Sequence, residues 1–86
     1  MRLKMSVKEI VVRNFKIETS DIVFIKAVLE SYEGMVVMRT IESGKPVIEL
    51  LIAHDFADDI DKVIRDLAKQ VLIEEVARPE NAIAWP

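Results

Sequence analysis

Along the chain, hydrophobic and polar positions switch between a period of two and a period of 3.6, with a turn signal at nearly every switch. Residues 7–13 (VKEIVVR) are rich in β-branched types and read as a first strand, followed by a polar connector from Asn14 to Ser20. Thr19, Ser20 and Asp21 offer capping oxygens and a carboxylate at the start of a helix spanning about residues 21–33. Lys26, Glu30 and Glu33 form its polar stripe, and Gly34 stands where a left-handed residue ends a helix. Residues 35–42 and 46–53 read as two strands joined by a hairpin at Ser43-Gly44-Lys45, with Pro46 opening the second of them. Asp55 is the expected cap of a second helix over residues 56–70, whose apolar face is Phe56, Ile60, Val63, Ile64, Leu67 and Ala68. Asp58 with Lys62 and Asp61 with Arg65 have the favourable i, i+4 order of acid before base. A last strand covers 71–77, Arg78-Pro79 ends it, and the tail carries Ile83 and Trp85.

The order β-α-β-β-α-β predicts an α+β fold, a ferredoxin-like two-layer sandwich with an antiparallel sheet in the order 4-1-3-2 and both helices on one face. Residues 1–78 form the one expected domain, and 79–86 a C-terminal tail docked on the sheet or on a partner. The other sheet face should alternate to polar residues, but it does not. In the second strand Met35, Val37, Arg39 and Ile41 oppose Val36, Met38, Thr40 and Glu42. In the third, Val47, Glu49, Leu51 and Ala53 oppose Ile48, Leu50, Ile52 and His54, so both faces are mostly apolar. The first helix adds Ile22, Val23, Phe24, Ile25, Ala27, Val28 and Leu29 on more than one side. So much apolar surface on a small chain predicts a homodimer or higher homo-oligomer, formed sheet face on sheet face or through the free edge of the second strand. The alternative cover is the tail, with Trp85 folded across the sheet.

Composition narrows the function classes. The chain has 86 residues, 51% hydrophobic and 31% charged, with two Gly, three Pro and no Cys. That excludes a disordered chain, a disulfide scaffold, a cysteine-ligated metal centre and a thiol nucleophile. No apolar run approaches the roughly 20 residues of a membrane span, and residues 1–6 lack the apolar core of a signal peptide, so the cytoplasm is the expected compartment. The net charge of −3 argues against nucleic acid as a partner. Residues 1–16 hold five basic groups against one acid, a basic first strand suited to acidic neighbours. Few Asn and Gln beside many charged residues resemble thermophile composition.

Candidate chemistry is sparse. His54 is the single histidine, next to Asp55, where it reads either as a polar strand end leading into a cap or as a metal ligand or base. Asp55, Asp58, Asp59 and Asp61 lack the glycine and spacing of a calcium loop, and helical periodicity scatters them around the axis. Gly44-Lys45 is not a phosphate loop, and no serine sits in a nucleophile-elbow context. The central strands carry Val, Ile, Met and Leu where an RNA-binding sheet needs aromatics. No cofactor, metal site or catalytic residue is expected.

Element order and lengths over about residues 7–77 resemble ACT-type small-molecule-binding domains, which dimerise and sense amino acids. The segment Leu29-Glu30-Ser31-Tyr32-Glu33-Gly34, ending a helix before the second strand, also resembles small stand-alone bacterial proteins of unknown function. In place of the Asp-x-x-Gly turn typical of ACT domains this chain has residues 14–21, without glycine. The resemblance implies a ligand seam between the 14–21 connector of one subunit and Gly34 of another, and Asn14, Ser20, Asp21, Gly34 and His54 are its candidate residues. The expected function is a non-enzymatic oligomeric domain that binds a small metabolite in a regulatory role. The alternatives are a protein-protein interaction module, and an enzyme completed across an interface by His54, Asp55 and Arg13 or Arg39.

Overall fold

A computed structural model describes residues 10–42, 46–78 and 83–84. Strands β1 (Ile10–Ile17), β2 (Val36–Glu42), β3 (Pro46–Ala53) and β4 (Ile73–Val76) and helices α1 (Ile22–Glu30) and α2 (Ala57–Leu67) form an antiparallel sheet with two helices. This is an α+β architecture compatible with a ferredoxin-like fold. A two-residue strand β5 (Ile83–Ala84) joins the sheet, whose order is β4-β1-β3-β2-β5. Read from β2, the main strands run 2-3-1-4, and β5 lies outside β2 as one strand more than the sequence predicts. The hairpin at 43–45, the N-terminal residues 1–9 and Trp85 lie outside the described residues.

Register assigns the faces. Val11, Arg13 and Phe15 of β1 pair Ile52, Leu50 and Ile48 of β3, which pair Val36, Met38 and Thr40 of β2. This side meets the helices: Phe15, Ile17, Val36, Ile48, Leu50 and Ile52 pack with Ile25 and Leu29 of α1 and Ile60, Val63, Ile64 and Leu67 of α2. The core residues of α2 recur at the predicted spacing. Phe56, expected on that face, instead sits exposed in a 3-10 turn over His54–Phe56. Ala68 is exposed as well, one residue past the end of α2.

Two further expectations are corrected. The 14–20 connector is not a loop: β1 runs on to Ile17, with Phe15 and Ile17 in the core. Helix α1 is shorter than predicted, ending at Glu30, and neither helix uses the expected side-chain cap. A 3-10 turn over Thr19–Asp21 precedes α1, and the Asp21 N–H donates to the Glu18 carbonyl at 2.9 Å, so main chain replaces the cap oxygens. Gly34 does take the predicted left-handed conformation, with φ of 85°.

Candidate functional site

The face of the sheet away from the helices carries three rows across β1, β3 and β2. Val12, Leu51 and Val37 form one row, Asn14, Glu49 and Arg39 the next, and Lys16, Val47 and Ile41 the third. The third row lies at the end where β5 pairs Ile41 and Glu42, and Val47 and Ile41 are buried there. The first row is open: Val12 is 49% exposed and Val37 57%. Between them Glu49 is only 3% exposed, a burial that a carboxylate sustains only with charged or hydrogen-bonding partners. The Arg78 Nε donates to Glu49 Oε2 at 3.0 Å, and Arg39 lies 4.0 Å from Oε1. Arg78 follows β4 at one edge of the sheet, so its reach to Glu49 places it over this face.

Asn14, the first predicted seam residue, belongs to this cluster. It is 5% exposed, pairs with Glu49 in register, and its Oδ1 receives no donor among the described residues. The other seam residues lie elsewhere. Ser20 and Asp21 follow β1, at the end where β3 begins; Gly34 and His54 lie at the opposite end, where the Ala53 N–H donates to the Met35 carbonyl. The six residue steps of β3 from Val47 to Ala53 put about 20 Å between those ends. One chain thus does not bring the five together. His54 is exposed, 3.7 Å from the exposed Asp55 carboxylate. Gly34 lines a groove of about 490 Å³ between α1 and β2, with Lys26, Leu29, Glu30, Glu33, Val36, Val37 and Met38.

A second polar cluster stands on the helix side. Arg13 donates through Nε and Nη2 to both oxygens of Glu75 at 2.9 and 2.8 Å, and through Nη1 to Asp61 at 3.0 Å. Asp61 also accepts from Arg65 Nε at 2.8 Å, the i, i+4 pair seen in the sequence; Asp58 and Lys62 do not pair. The guanidinium lies 5.2 Å from the Phe15 ring centroid. Its hydrogen bonds hold the Asp61 and Glu75 carboxyls below the usual carboxylate range, and the Glu75 bonds in turn raise the arginine. Arg13 ties β1 to β4 and α2 as a structural clamp, where the sequence offered it as part of a basic first strand and as a basic group of an interface-completed enzyme. Among the described residues no three acidic or histidine side chains converge to hold a metal ion, and no helix is long and apolar enough to cross a membrane.

A family model, a domain of unknown function (DUF4911), matches residues 15–71. The chain belongs to this family. The match runs from Phe15 in β1 to Val71 after α2, so it contains Gly34, Arg39, Glu49 and His54 and stops short of β4. It agrees with the expected kinship to small proteins of unknown function; no ACT-type family is shown. No curated protein and no solved structure matches the chain.

Proposed function

We propose that this chain is a non-catalytic module that assembles with a second copy of itself and holds a small metabolite between the copies, in a regulatory role. The observation that carries the reading is the row Val12, Leu51 and Val37, apolar and uncharged, with Leu51 half-buried between two exposed valines toward the Gly34 end of the sheet. An exposed apolar strip across three strands is unusual on a monomer. The strip is also self-complementary, because Val12 and Val37 flank Leu51 symmetrically, and that favours a two-fold partner over an unrelated surface. A two-fold axis across the strands turns the Ser20–Asp21 end of one copy toward the Gly34–His54 end of the other. That arrangement supports a shared seam between residues a single chain keeps apart.

Light scattering behind size exclusion tests it, on the natural chain and on the double variant Val12→Lys, Val37→Lys. Both positions are half exposed, so the variant keeps its fold. The natural chain is expected as a dimer or larger and the variant as a monomer with unchanged circular dichroism. A natural chain that stays monomeric at millimolar concentration overturns the proposal. A thermal-shift panel of small metabolites then reads the ligand, since binding to the native state alone raises its melting temperature.

A further inference from the structure

The outer edge of β2 carries a consequence beyond self-assembly. In an antiparallel pair each residue turns its N–H and C=O to the same side, and sides alternate along the strand. The Met35 carbonyl accepts from Ala53, so Met35, Val37, Arg39 and Ile41 turn toward β3, and Val36, Met38, Thr40 and Glu42 turn outward. Strand β5 pairs with Ile41 and Glu42 only. Val36 and Met38 therefore present two outward N–H and two outward C=O groups with no partner among the described residues, while Thr40 borders the end of β5. The groove of about 490 Å³ under α1 runs along the same stretch.

We infer that this edge is a docking site for an extended peptide segment of a partner protein, added antiparallel as a further strand. Strand β5 already sits on the same edge in that direction, so the edge accepts extended chain. Main-chain bonds supply the affinity in such strand addition, and side chains at alternate positions supply selectivity. Here the selectivity follows from register. The peptide residue opposite Arg39 lies on the open face beside a cation, and an acidic side chain fits there. Those opposite Met38 and Val37 meet apolar side chains. The one opposite Val36 lies on the helix side, where Glu30 and Glu33 line the groove against the single cation Lys26, and a basic side chain fits. The segment reads, from its N-terminus, acidic, apolar, apolar, basic.

The probe is the capped peptide acetyl-Glu-Val-Val-Lys-amide, titrated into the isotope-labelled chain of 86 residues and followed by amide NMR. Shifts and slowed hydrogen exchange are expected at Val36 and Met38. Methylating the peptide nitrogens of the first Val and the Lys, which face the edge, should abolish binding with the side chains intact. The double variant Glu30→Gln, Glu33→Gln should weaken it by about fivefold to tenfold, as for two exposed ion pairs. No response at these two amides at millimolar peptide overturns the inference, as does equal binding of the methylated peptide. Shifts confined to Val12 and Leu51 overturn it too, because they put the peptide on the assembly surface. A monomeric chain that still responds at the β2 edge would sink the assembly proposal and leave this one standing.

Discussion

Arg78→Ala is the sharpest probe of the open face. It removes the 3.0 Å donor of Glu49 and leaves a carboxylate that is 3% exposed with Arg39 at 4.0 Å, beyond hydrogen-bonding reach. A hydrogen bond to a charged group contributes about 1.5–3 kcal/mol, and stranding a buried charge adds to that loss. Arg78 itself is half exposed, so water screens part of the pair and the lower half of that range applies, about 1.5–2 kcal/mol. For a domain of this size that lowers the melting temperature by about 6–16 °C. Glu49→Leu should behave differently, because it removes the buried charge together with its demand for a partner. Its expected cost is below about 1 kcal/mol, and replacing a buried ion pair by an apolar group is often neutral. In the Glu49→Leu background, Arg78→Ala should then cost less than about 0.5 kcal/mol, giving a coupling energy above about 1 kcal/mol. Urea denaturation followed by circular dichroism measures all four chains, with an unchanged slope showing that stability alone has moved. Equal costs for the two single variants, or simple additivity in the double, would refute the reasoning that Glu49 is buried at the expense of its pairing with Arg78.

Two further predictions concern the scaffold. Asp61 and Glu75 have carboxyl pKa values depressed by Arg13, so the stability they add is present above their unfolded values and is lost as pH falls through the lower folded ones. Urea midpoints should therefore fall below about pH 4.5, and Arg13→Met should flatten that acid limb while lowering stability at neutral pH. Gly34→Ala meets no steric obstacle within 4 Å but forces an L side chain to φ of 85°, so it should cost about 1 kcal/mol by thermal melting, and Gly34→Asn less.

What the sequence made legible was whatever local pattern encodes. Ile60, Val63, Ile64 and Leu67 announce the buried face of α2, and Gly34 after an apolar helix announces its left-handed turn. Residues 14–17 misled because Asn14 and Lys16 look like connector residues; their alternation with Phe15 and Ile17 was the strand signal, with the two core positions on the helix face. Glu49 is the one charge within residues 46–53, on a strand that the sequence shows as mostly apolar on both faces. Its burial depends on Arg39 and Arg78, ten and 29 positions away, and no local window contains that pairing. Thr19, Ser20, Asp21 and Asp55 read as caps, yet a 3-10 turn ahead of each helix leaves their side chains without capping bonds. The β2 edge was legible only as a possibility of pairing, because which backbone groups point outward follows from register.

The open face and the β2 edge are divided at the same place. Where β5 joins, Ile41 and Val47 are buried and Glu42 is paired; toward the Gly34 end, Val12 and Val37 are open and the outward backbone groups of Val36 and Met38 have no partner among the described residues. Arg78 on Glu49 stands at the boundary between the two halves. Just beside it, Asn14 keeps a buried amide oxygen without a donor among the described residues, a state that costs about 1–3 kcal/mol relative to a satisfied one. A fold does not carry such a group without consequence: any partner or ligand that brings an N–H or O–H to Asn14 recovers that energy as binding. Weakening Arg78 should therefore act in two directions at once, lowering the stability of the single chain and raising its tendency to recruit a second surface. If Arg78→Ala is less stable yet associates more strongly than the natural chain, the ion pair sets how much of the sheet is on offer. If it is less stable and associates no more, Arg78 serves the fold alone, and the exposed row with the β2 edge must account for binding without it.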